Sequence, residues 1–126
     1  MQLILAVAAG GAIGSVARYL MAGWVGHIVG PSFPLGVMVV HVLGSAVMGV
    51  LVEGFALIWH ASPEMRAFLT VGVLGGFTTF SSFSLDAVLL FQKGEIGLGA
   101  LYLLGSVALS LAGLVAGLHV ARAVLV

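Results

Sequence analysis

The sequence contains no cysteine, which excludes disulfides, thiolate chemistry and Cys-ligated zinc. Charge is nearly missing as well: 6% of the 126 residues are charged, against roughly a quarter in an ordinary soluble domain. Four basic and four acidic side chains cancel, so there is neither a basic block for nucleic acid nor an acidic tail. P-loop, HExxH and nucleophile-with-base patterns are absent, and the chain is not read as an enzyme. Eight charges cannot supply the polar skin that a soluble fold of this size needs. The hydrophobic 62% must therefore face lipid.

What is present is hydrophobic length. A helix spans the hydrocarbon with about 20 mostly apolar residues, and four segments qualify, approximately 3–29, 33–59, 66–91 and 96–125. The run from Leu3 to Ala9 imitates a secretory signal. No Lys or Arg precedes it, however, and the hydrophobicity continues through Tyr19, Leu20 and Met21, so a retained span is expected. Gly30-Pro31-Ser32-Phe33-Pro34 breaks the chain after the first span. His60-Ala61-Ser62-Pro63-Glu64 does so after the second, with Ser62 placed to cap a helix opening at Pro63. Gln92-Lys93-Gly94-Glu95 makes a polar turn after the third. The expected architecture is an all-α membrane protein, residues 1–126 forming a single four-helix transmembrane domain with antiparallel neighbours.

Glycines recur at i, i+4 spacing: Gly10/Gly14, Gly26/Gly30, Gly72/Gly76 and Gly113/Gly117. In lipid, such faces let helix backbones approach closely, so a compact and oligomeric bundle is expected. Basic residues split two against two between the sides, Arg66 and Arg122 against Arg18 and Lys93. The positive-inside rule then assigns no orientation. Either a weak bias comes from elsewhere, or the chain inserts both ways up and pairs with an inverted copy of itself.

Polar groups inside a span are costly unless satisfied, which makes them the best functional signal. The densest cluster is Gly75-Gly76-Phe77-Thr78-Thr79-Phe80-Ser81-Ser82-Phe83-Ser84. Paired glycines weaken a helix, and Thr and Ser compete for its backbone hydrogen bonds. A break near mid-membrane is expected, and a break is tolerated there only where it lines a cavity or meets an ion. Tyr102, Ser106 and Ser110 form a hydroxyl ladder about 6 Å per step along the fourth span. The ladder serves either to pass a small anion between donors or to hold helices together. His41 shares a face with Ser45, Met48 and Gly49, and is either a structural hydrogen-bonder or a pathway residue. Arg18 and Asp86 are candidates to pair, with snorkelling as the other structural account, and Glu53 is expected near the head groups beside Trp59.

Three stretches carry a resemblance. They are Gly10-Gly11-Ala12-Ile13-Gly14-Ser15-Val16-Ala17-Arg18-Tyr19, Pro34-Leu35-Gly36-Val37-Met38-Val39-Val40-His41-Val42-Leu43-Gly44-Ser45, and the run from Gly72 through Ser84. In order and over essentially the whole chain, they resemble the CrcB/Fluc family of bacterial fluoride channels. The resemblance implies a passive fluoride channel of the cell inner membrane that lowers cytoplasmic fluoride. It implies an antiparallel dual-topology homodimer with two narrow pores, and a central sodium ion (Na+) held by backbone carbonyls, here those of Gly75 and Thr78. It places His41, Thr79, Phe80, Phe83, Tyr102, Ser106 and Ser110 along the fluoride pathway, with Arg18 near the entrance. Two positions depart from the family pattern. His41 stands for Asn, and Asp86 for Glu. A neutral imidazole has one N–H and is expected to keep the donor role of the Asn toward the ion.

Fluoride is small and strongly hydrated, so a selective pore must replace its water with hydroxyl and amide donors, without the deep trap of a buried cation. Phenylalanine adds an electropositive ring edge. Two other classes stand beside this reading. A small four-helix multidrug-type exporter couples to protons through a membrane-embedded carboxylate in its first span, which this sequence lacks. A structural membrane subunit would carry no ion flux.

Overall fold

Prolines and glycines punctuate the chain where the helices end. In the computed structural model, which describes residues 1–126, α1 spans Gln2–Val29 and stops at Gly30. The φ of Gly30 is 96°, a left-handed value that favours glycine. After Pro34, α2 spans Leu35–Leu57. The third span opens at Pro63, where Ser62 Oγ accepts the Met65 N–H at 3.1 Å, the cap its sequence position predicts. It closes into a turn at Gly94, with φ 81°, and the last helix spans Ile96–Leu125. Four helical stretches are therefore long and apolar enough to cross a membrane: Gln2–Val29, Leu35–Leu57, Pro63–Gln92 and Ile96–Leu125. The chain is a multi-pass membrane protein, with its spans within a few residues of where the hydropathy places them.

The third span is not one helix. It begins as α3 (Pro63–Arg66) and widens into a π-helical stretch over Ala67–Leu74. A short α4 (Gly75–Phe77) follows, then two extended residues, Thr78 (φ −98°, ψ 151°) and Thr79 (φ −153°, ψ 119°). It resumes as α5 (Phe80–Gln92), and the helix Ile96–Leu125 is α6. The break thus falls inside the Gly-Gly and hydroxyl run, as expected. The π stretch was not anticipated, because the sequence AFLTVGVL is ordinary helical material and an i→i+5 bond has no compositional mark.

Small residues decide which helices touch. The largest contacts join α2 to α6, and α1 to the π stretch and α4. A Cβ on Gly14 would collide with the Val73 carbonyl oxygen, and one on Gly117 with that of Ala46. At both crossings backbone lies against backbone, as close small-residue packing in lipid requires. Three of the four glycine pairs lie in such contacts. Gly26/Gly30 does not: a Cβ would meet nothing within 4 Å at either position. Gly30 serves the turn instead.

The buried apolar cluster is small, comprising Met38, Phe83, Ala87, Leu90 and Tyr102. Most other large apolar side chains point outward, as they must when the surroundings are hydrocarbon. At the end shared by the termini, Arg122 Nε and an NH2 nitrogen both lie 2.9 Å from Glu53 Oε1. Glu53 is therefore buried as the partner of Arg122, tying α2 to α6, and not simply placed near head groups. Arg66 stacks over the Phe55 ring at 5.0 Å.

Candidate functional site

The break opens a groove of about 380 Å³ between α2, α6 and the third span. Its walls are His41 and Ser45 from α2, Thr78 and Thr79 from the break, Phe80 and Phe83 from α5, and Ser106, Val107, Ser110 and Leu111 from α6. Six of the seven residues that the resemblance places on a pathway meet here. Tyr102 does not line the groove. It lies behind Phe83, fully buried, with ring centroids 5.1 Å apart.

The geometry of the break explains how the groove is held open. Thr78 N–H still donates to Leu74 O at 3.0 Å, and the Thr78 hydroxyl donates to the same carbonyl. Thr79 N–H leaves the helical ladder and donates to His41 Nε2 at 3.0 Å. The Thr79 side chain then caps α5, its Oγ1 accepting from Ser82 N–H. No backbone N–H reaches the carbonyls of Gly75, Phe77 or Thr78. Arg18 Nε donates to the Gly76 carbonyl at 3.3 Å, so this cation secures the end of α4 from across the α1 contact.

The structure decides two points here. Arg18 does not pair with Asp86. Asp86 instead receives the Tyr102 hydroxyl at 3.4 Å and lines a second groove, with Phe33, Gly36 and Lys93, at the end of the bundle bearing the two short turns. Nor does His41 have an N–H to offer an ion. Its Nδ1 lies 2.8 Å from Val37 O, and a carbonyl only accepts, so Nδ1 carries the proton. Its Nε2 must then be the lone pair that accepts from Thr79. Both nitrogens are engaged within the protein.

The α6 ladder behaves differently. Ser106 Oγ and Ser110 Oγ are shielded from solvent and have no hydrogen-bond partner. Helix-bonded serines ordinarily return to the carbonyl one turn back, and buried hydroxyls are nearly always satisfied. Within the chain neither hydroxyl bonds another helix, whereas Tyr102, at the head of the ladder, reaches Asp86 on α5. Beside them stand the rings of Phe80 and Phe83, centroids 5.6 Å apart, and the His41 ring edge-on to Phe83 at 6.0 Å. Phe83 is buried, whereas Phe80 is 78% exposed, so the groove is open on one side of the chain. Ser45 was not singled out as a site residue, although its i+4 offset from His41 was signal enough. Thr78 lines the groove too.

A hard cation prefers oxygen ligands, and the freed carbonyls of Gly75 and Thr78 are of that kind. No group of three or more His, Cys, Asp or Glu side chains is placed to hold a metal ion.

Comparison with known proteins agrees with the resemblance. The family profile described as "CrcB-like protein, Camphor Resistance (CrcB)" matches residues 5–118. The chain belongs to the CrcB family. Relatives named fluoride-specific ion channel FluC include one from Rhodospirillum centenum, 56% identical over 122 residues and covering 97% of both chains. A second, from Agrobacterium fabrum, is 56% identical over 119 residues, covering 94% of this chain and 95% of its own. A third, from Nitrobacter winogradskyi, is 48% identical over 121 residues, 96% of each chain.

Proposed function

We propose that this chain is a fluoride-specific channel that lets fluoride leave the cytoplasm passively. The observation that carries the reading is the pair of buried hydroxyls, Ser106 Oγ and Ser110 Oγ, left without protein partners on the wall of a mid-span groove. An unsatisfied buried hydroxyl costs about 1–3 kcal/mol, and an arriving acceptor recovers it. A bare fluoride ion is such an acceptor. Each hydroxyl replaces one water of its hydration shell, and neutral donors let it go again. The Phe80 and Phe83 rings present electropositive edges to the same space. High identity to proteins named for fluoride supports this choice among anions.

The functional unit in this reading is an antiparallel pair of identical chains. Phe80 and the open side of the groove would otherwise face lipid, where exposed backbone and hydroxyls are not tolerated. Balanced basic residues permit both insertions. Sodium would sit on the carbonyls of Gly75 and Thr78, adding positive potential to an assembly of zero net charge. Purified protein in liposomes should release fluoride and retain chloride. Equal release of both ions, or of neither, removes the channel reading. Cysteines placed in the two opposite sets of loops should both label in part from outside intact cells, and one-sided labelling removes dual topology.

A further inference from the structure

We propose that Ser45 is a further donor to the fluoride ion, one that carries the pathway from α6 onto α2 at the end of the groove nearer the chain termini. The inference deepens the channel reading and rests on it. On α6 the donors come one turn apart, Ser106 and then Ser110, and both hydroxyls stand unpartnered on the groove wall. Four and eight residues further along come Leu114 and Leu118, and no Ser or Thr follows Ser110 in the chain. An anion resting on Ser110 must find its next donor on another helix.

Contacts between α2 and α6 set the height of Ser45. The two helices run in the same direction, since Gly113 lies against Val42, Gly117 against Ala46, and Arg122 bonds Glu53. A Cβ on Gly113 would touch both the Val42 carbonyl and the Ala46 amide, so Gly113 and Ser45 stand at nearly the same height. Ser110 precedes Gly113 by three residues, about 4.5 Å along the axis. Ser45 lines the same groove from the facing wall. It also lies about 15 Å into α2, a depth at which a polar side chain turns to the bundle or to a cavity. Ser106, Ser110 and Ser45 thus form one series of hydroxyls that changes helix at its last member.

A lone helical serine ordinarily donates to the carbonyl one turn back. The hydroxyls of Thr70 and Thr78 do so, to Arg66 O and Leu74 O. Ser45 makes no such bond to the His41 carbonyl and keeps its proton for the groove. His41 itself has both ring nitrogens engaged, by Val37 O and by Thr79 N–H, so Ser45 is the one donor that α2 offers here. One turn further, Gly49 lies against the Leu114 carbonyl and the two backbones meet. Ser45 is the last donor before that contact. Like Ser110 it is neutral, and so replaces a water of the ion without trapping it.

Fluoride efflux from liposomes is compared for the natural chain and Ser45→Ala, with the melting temperature measured on the same samples. Efflux through Ser45→Ala should fall by roughly fivefold or more. Its melting temperature should hold or rise, because Ala is the better helix former. Ser45→Thr and Ser45→Val share one shape and differ in the hydroxyl, so the Thr variant should conduct severalfold faster than the Val variant. Equal efflux in the natural chain and Ser45→Ala overturns the proposal and leaves the channel reading standing. A fall in efflux that comes with a lower melting temperature does the same, since it marks Ser45 as structural. Equal rates above background for the Thr and Val variants also overturn it. Where both drop to background, their bulk has closed the groove and the Ala rate decides. A natural chain that carries no fluoride overturns the channel reading and this proposal with it.

Discussion

Gly76 and Thr78 are two residues apart in the chain, yet they belong to regions built on opposite rules. On the Gly76 side, α1 and the third span meet through backbone, and Gly76 has the Gly11 carbonyl where a Cβ would stand. Arg18 donates to the Gly76 carbonyl there, and backbone fills the space beside the glycine. On the Thr78 side the chain is extended, carbonyls lack N–H partners, and across the groove two serine hydroxyls have none either. The seam spends glycine on closeness, and the groove leaves polar groups unpaired. A rigid, closely packed seam is what allows an unsatisfied groove beside it to hold its shape in lipid.

Substitutions at the seam should therefore act on assembly, and those in the groove on transport. The largest effect is expected at the seam. Gly14→Leu drives a side chain into the Val73 carbonyl, and since even modest overpacking costs about 1–3 kcal/mol, this variant should yield no folded protein on size-exclusion chromatography. Recovery of a normal peak would show that the two spans can separate, and the seam would not be rigid. Next comes Phe83→Ile, which keeps apolar bulk but loses the ring edge. Fluoride efflux should drop by roughly tenfold or more with the elution profile unchanged. Unchanged efflux would take Phe83 out of the pathway and leave it as core.

Ser110→Ala sharpens the contrast further, because its transport and stability effects should have opposite signs. Removing an unpartnered buried hydroxyl should leave the melting temperature unchanged or raise stability by about 1 kcal/mol, while efflux falls severalfold. A loss of stability would mean that the hydroxyl has a protein partner after all. The smallest effect is expected at Gly26→Ala. A Cβ there meets nothing, so the only change is the better helix propensity of Ala, about 0.5–1 kcal/mol in favour of the fold. Marked destabilisation would place Gly26 against a neighbour, such as a second chain.

These contrasts also indicate what could be read in advance. The spans, the Ser62 cap and the break were legible because each depends on a few adjacent residues, such as Gly75-Gly76 beside the hydroxyl run. The convergence of His41, Thr79, Phe80, Phe83, Ser106 and Ser110 was carried by the family resemblance, since spacing within a helix says nothing about which helix it will face. What escaped depends on angles between distant elements. Arg18 and Asp86 lie toward the same end by counting, but Arg18 turns to the Gly76 carbonyl and Asp86 to Tyr102. The two nitrogens of His41 have fixed roles only because Thr79 arrives from elsewhere in the chain. Hydroxyls with no partner cannot be inferred from residue type at all.

The wide turns over Ala67–Leu74 have a consequence for sequence length. An i→i+5 bond encloses one residue more than an α turn does, and each residue of an α-helix advances the side chains by about 100°. The stretch therefore stores surplus chain and sets the rotational phase of everything that follows it. Val71 is 61% exposed and bonds nothing through its side chain, so most substitutions there should be silent. Its deletion should be tolerated for the same reason. The stretch could then give up its surplus residue and wind down to ordinary α pitch, so that Gly72 and Gly76 would still face α1 and Thr79 would still meet His41. A deletion in an ordinary α turn of the span has no such store, and turns its two flanks against each other by about 100°. At this position the chain tolerates a change of count as well as a change of letter.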